Sequence, residues 1–96
     1  MQKRTLNYES LNRHNVTEEE CNQVTEDDNR TTEEFDEDFS SDGNWRLMFV
    51  GFSKAGRLLE IGVEFIKIEH GYWTNIYHAD DATPAWQRRY NERKGK

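Results

Sequence analysis

Between Trp45 and His78 the chain carries three strand-like blocks separated by two short polar turns, and this pattern restricts the fold more than any other feature. Trp45 to Phe52 is a run of large apolar residues interrupted only by Arg46 and Gly51, as an inner strand requires. Leu59, Ile61, Val63 and Phe65 then alternate with Glu60, Gly62 and Glu64, the period of a half-buried strand. Between them, Ser53-Lys54-Ala55-Gly56 has the composition of a tight turn closed by glycine. Residues 67–71 form a second polar turn, and Tyr72 to His78, rich in aromatic and β-branched residues, makes the third strand. Turns this short make neighbouring strands antiparallel. Thr83-Pro84 next opens a helix, with Thr as N-cap and Pro at the first helical position. Trp86 and Tyr90 share its inner face, while Arg88 and Arg89 point outward or along its edge.

The first half is less regular. Residues 1–5 are polar and expected to fray. Leu6, Tyr8 and Leu11 begin an apolar pattern that stops at Asn15, a residue suited to a left-handed helix end. Thr17-Glu18-Glu19-Glu20 is a capping box, its acids matched to the positive end of a helix dipole. Cys21 and Val24 follow on one helix face. Two short helices are expected, near residues 7–14 and 17–27. Residues 27–44 form either an acidic loop or an edge strand around Thr31-Thr32, Phe35 and Phe39, with charges that blunt edge pairing. The expectation is one α+β domain over residues 1–96: two short N-terminal helices, an antiparallel sheet of three to four strands and a C-terminal helix.

Charge narrows the function classes. The formal net charge of −6 is strongly segregated. Glu18 to Asp42 holds twelve acidic residues against the single base Arg30, while Arg88 to Lys96 holds five bases against Glu92. The whole-molecule field therefore repels nucleic acid, yet the basic end can engage phosphate locally. The acidic stretch reads as a solvated face, a flexible tail or a docking surface for a basic partner. Cys21 is the only cysteine, so neither an internal disulfide nor a cysteine metal pair is available. No apolar run suggests a leader or a membrane span, which makes a cytoplasmic protein the expectation.

Three histidines and four arginines are the candidates for chemistry. His14 at a helix end reads as a dipole cap, and His70 in a turn as solvated. His78, at the end of the third strand beside Asp80 and Asp81, is either a general base or a surface hydrogen-bonder ahead of the helix cap. One histidine with two adjacent acids is a weak metal signal, and no zinc spacing, phosphate loop or nucleophile elbow is present. No cofactor is expected. Arg46, Arg57, Arg88 and Arg89 form the most coherent set, because arginine forks grip phosphate bidentately. The alternative is that they pair with Glu60, Glu64 and the acidic segment. Trp45, Trp73 and Trp86 read as core more readily than as base-stacking platforms.

Three segments together resemble the BrnT family, the small toxins of a type II toxin–antitoxin system with a RelE-like ribonuclease fold. Leu11 to Glu20 (LNRHNVTEEE) is similar to the family's N-x-x-K-H-G-V segment. Gly51 to Gly62 (GFSKAGRLLEIG) is similar to its G-x-x-x-G-R hairpin, and Ile76 to Tyr90 (IYHADDATPAWQRRY) to its final strand, R-P-A-[ST] turn and Arg-rich helix. The resemblance implies a bacterial, metal-independent endoribonuclease that acts on translation and is neutralised by an antitoxin protein. By position His14, Arg57, Arg88 and Arg89 match family residues. The catalytic candidates are then Arg57, His78 and Arg88, and the nucleic-acid-binding ones Arg46, Arg57, Arg88 and Arg89. One departure opposes activity: Asp80-Asp81-Ala82-Thr83 stands where the family has R-P-A-T, placing acid where a cation would stabilise phosphorane-like charge. A catalytically inactive relative, working as a small protein-binding or oligomerising module, is the competing expectation. A metal-dependent hydrolase around His78, Asp80 and Asp81 is a third.

Overall fold

A computed structural model describes residues 3–6, 15–26, 31–37 and 45–95. Among these residues five strands form one sheet: β1 (Lys3–Leu6), β2 (Glu33–Glu37), β3 (Trp45–Phe52), β4 (Leu58–Ile68) and β5 (Gly71–Asp81). Their spatial order is β1-β5-β4-β3-β2. Strands β2 to β5 are antiparallel neighbours, whereas β1 pairs parallel to β5. Helix α1 (Glu18–Thr25) lies on one face and helix α2 (Pro84–Lys94) on the other. The chain is α+β.

Residues 3–6 correct the expectation of a frayed start, because the outer edge of β5 offers them a full row of hydrogen-bonding groups. Leu6 accordingly ends a strand rather than beginning a helix. The helix expected near residues 7–14, His14 included, lies outside the described residues, as does Phe39. The second helix forms as its cap dictates. Glu20 N–H donates to Thr17 Oγ1 at 3.1 Å, and Thr17 N–H donates to Glu20 Oε1 at 3.3 Å. Asn15 ahead of it has φ of 56°, in the left-handed region its amide side chain tolerates. The acidic segment contributes an edge strand, β2, in which Phe35 is buried.

Alternation sorts the side chains onto two faces. Leu47, Phe49, Leu59, Ile61, Val63, Ile76 and Ala79 meet Val16, Cys21 and Val24 beneath α1. Phe35, Met48, Val50, Ala82 and Tyr90 form a second cluster beneath α2. The rings buried in the core are Phe35, Phe49 and Tyr90, and the tryptophans expected within it sit at its rim. Trp45 is 42% and Trp73 38% exposed, and Trp86 is half-buried. Rings of this size are seldom fully enclosed in so thin a core.

Candidate functional site

Strand β5 departs from strict alternation, and that departure builds the site. Gly62 pairs with His78 and Val63 with Ile76, so Tyr77 is an extra residue in a β-bulge. A bulge sets two successive side chains on the same side of a sheet. Tyr77 and His78 therefore both stand on the α2 face, while Ile76 and Ala79 both enter the α1 core. The strand also runs to Asp81, paired to Leu59 and Glu60, so Asp80 and Asp81 belong to the sheet rather than to a turn. His78 is within the strand, not at its end.

On that face, beside the start of α2, five functional side chains gather. His78 Nε2 lies 2.8 Å from Glu60 Oε2. The other Glu60 oxygen accepts the backbone N–H of Thr83 at 2.6 Å, the residue that begins α2. Thr83 thus occupies the N-cap position expected of it, but its hydroxyl makes no cap bond, and Glu60 takes that N–H instead. A carboxylate at a helix N-terminus is favourably placed against the dipole. Glu60 is 4% exposed, a depth at which a carboxylate needs such partners. The Tyr77 ring lies over Gly62, and the Arg46 guanidinium lies 5.6 Å from its centroid. Arg46 Nη2 also donates to Glu64 Oε2 at 2.7 Å. Solvent still reaches the group, since the His78 side chain is 31% exposed.

Gly62 has a specific role here. A Cβ at this position would meet Tyr77 Cζ at 2.7 Å, closer than real contacts allow. Gly62→Ala should therefore push the Tyr77 ring off the sheet and away from His78. The expected result is an altered Tyr77 aromatic NMR environment, with any activity of the site reduced more than thermal stability.

The arginines do not converge as a single set. Arg57 is on the α1 side, where it donates to the Asn15 carbonyl at 3.1 Å, to Glu20 at 3.1 Å and to Asp81 at 3.2 Å. It ties the helix entrance to the sheet and is separated from His78 by the sheet itself. Arg57 therefore stands apart from the His78 group. Asp81, with its carboxylate committed to Arg57, is likewise turned away. Arg88 is exposed on α2. Arg89 lies along the wall of the open face, its guanidinium 4.4 Å from the Trp86 ring centroid and 5.4 Å from that of Phe35. Neither Arg88 nor Arg89 forms an ion pair among the described residues. Arg93 stacks on Phe35 at 3.9 Å and donates to the Glu34 carbonyl of β2. Phe35, Arg89, Glu92 and Arg93 enclose a shallow cleft of about 220 Å³ at this wall.

Sequence reading named His78, Arg46 and Arg89 but missed Glu60, Tyr77 and the part played by Gly62. The alternating pattern of β4 marks Glu60 and Glu64 as solvent-facing, yet both are buried, one under the start of α2 and one beneath Arg46. His70 is exposed beside Glu69 in the β4–β5 turn. Among the described residues no three His, Cys, Asp or Glu side chains are gathered as a metal set. None of the described helices is long and apolar enough to cross a membrane. The chain matches no protein-family model and no curated protein.

Proposed function

We propose that the chain is a divergent BrnT-like toxin of RelE-like fold that cleaves RNA without metal at the His78–Glu60 pair. The observation that carries this reading is the grouping of an imidazole, a buried carboxylate, a phenol and a guanidinium on one solvent-accessible sheet face. Those groups are what in-line RNA cleavage requires. In the tautomer that donates Nε2–H to Glu60, the His78 ring has Nδ1 as its acceptor and takes the proton of the attacking 2′-hydroxyl. The 2′-oxygen bonds to phosphorus as the bond to the 5′-oxygen breaks, leaving a 2′,3′-cyclic phosphate. The Tyr77 phenol donates the proton that the 5′-oxygen acquires. Arg46 bears the developing phosphorane charge. Glu60 orients the imidazole and stabilises it once it carries the proton.

A second reading rests on a different observation. Glu60, Glu64 and Asp80 outnumber Arg46 among the charged groups of β3, β4 and β5 on this face, and Glu64 already holds the Arg46 fork. A catalytically inactive relative that binds a partner protein suits that balance. The experiment that separates the two uses the purified full chain with single-stranded RNA in excess chelator, alongside expression in cells without any partner. Cleavage to a 2′,3′-cyclic phosphate with slowed growth supports the enzyme. Intact RNA and normal growth at high expression would overturn it in favour of the binding module.

A further inference from the structure

The two strands at the ends of the sheet differ in the sign of their charge, and the chemistry above uses neither. In the order β1-β5-β4-β3-β2 the outermost strands are β1 and β2, with no strand beyond either among the described residues. Strand β2 (EEFDE) carries four acids and no base, whereas β1 (KRTL) carries two bases and no acid. Lys94 pairs with Glu33 at 3.0 Å. Glu34 and Asp36 are exposed and form no ion pair among the described residues. An edge strand offers a row of backbone N–H and C=O groups to any strand that approaches it. Charge then decides which strand that is. Were both edges of one sign, copies of the chain would repel one another at every edge. With opposite signs each edge repels only its own kind, because like charges opposite each other across a ladder destabilise it and unlike charges stabilise it.

We propose that β1 of a second copy of this chain adds to β2, so that the sheet continues head to tail from one molecule into the next. Strand direction agrees with this. Strand β1 runs parallel to β5, and three antiparallel steps, through β4 and β3, reverse that direction at β2. A sheet continued in the same sense therefore sets the incoming β1 antiparallel to β2, the more stable of the two pairings. Length agrees as well, at four residues against five. Arg93 donates to the Glu34 carbonyl, so the incoming strand bonds the remaining groups of β2 or displaces that side chain. The contact joins two different surfaces and leaves one edge of each sign at the ends of every assembly. Growth is then open rather than stopping at a dimer. The strands are short and the area they bury is small, which makes the association weak. Salt weakens it further, since the charges that select the partner are exposed.

Sedimentation velocity of the full chain over a rising concentration series tests this at low ionic strength and again at about 1 M salt, where the Debye length falls to about 3 Å. Mean mass should climb past that of a dimer at low salt and return to that of the monomer at high salt. Lys3→Glu with Arg4→Glu should weaken association about tenfold or more, and so should Glu34→Lys, Asp36→Lys and Glu37→Lys together. Each of these variants alone has two edges of one sign. Mixed in equal amounts they should associate again, because every β1 then finds a β2 of opposite charge. A folding defect would not be cured by mixing. A wild-type chain that stays monomeric at every concentration, a mass that stops at the dimer, or a mixture that does not recover would overturn the proposal.

Discussion

Replacing His78 by glutamine should lower single-turnover RNA cleavage by about 10²–10⁴-fold, the usual contribution of a positioned acid–base group. Glutamine is chosen because its amide can still donate to Glu60, whose carboxylate is buried and would otherwise lose one of its two partners. His78→Ala conflates two effects. It removes the proton carrier and leaves Glu60 held by the Thr83 N–H alone, which costs about 1–3 kcal/mol for a group at that depth. A glutamine variant with an unchanged melting temperature and abolished cleavage assigns the chemistry to the imidazole. Undiminished cleavage in His78→Gln would remove the residue from the mechanism. Arg57 serves as the contrast. It contacts only the α1 side, so Arg57→Met should loosen the junction of Asn15, Glu20 and Asp81 without lowering kcat of the folded fraction.

The largest stability effect is expected at Ile61. Its side chain has no exposure, and its strand neighbours on either side are Phe49 and Ala79, which share its core cluster with Val24 of α1. Ile61→Ala should cost about 2–5 kcal/mol, the range for truncating a buried branched chain that cannot collapse around the cavity. For a domain whose total stability is on the order of 5–10 kcal/mol, that is a large fraction. Urea denaturation measures it directly as a fall in midpoint at constant slope. Phe52→Ala is the control. Phe52 is 46% exposed and meets Tyr90 only edge-on at 5.9 Å, so its loss should cost much less. Equal destabilisation by the two would mean that the core is not where the burial places it.

Much of the scaffold is legible because its signals are local. The β3–β4 hairpin follows from alternation and from Gly56, whose φ of 84° suits a residue without a Cβ. The α1 start follows from Thr17 and Glu20, which satisfy each other's backbone amides within four residues. The α2 start follows from Pro84, which has no N–H to lose. The candidate site is legible only in fragments. His78 stands out as a titratable residue near acids, but the carboxylate that its Nε2 reaches is that of Glu60, eighteen residues earlier. The arginines look like one set because they are one residue type. The sheet divides them, with Arg46 and Arg89 on the α2 face and Arg57 on the other.

The three strand-like blocks between Trp45 and His78, their antiparallel order and the helix after Pro84 are determined by the sequence alone, since each rests on contacts between near neighbours. The tertiary structure decided the rest. Strict alternation would send His78 into the core with Ile76, because the two are an even step apart. Ala79 fits under α1 beside Ile61 and His78 does not, so burial is maximised by a bulge at Tyr77. That one extra residue returns His78 to the open face beside Glu60. Its cause is the packing of one face of a sheet against a helix, an energy that no stretch of β5 contains by itself.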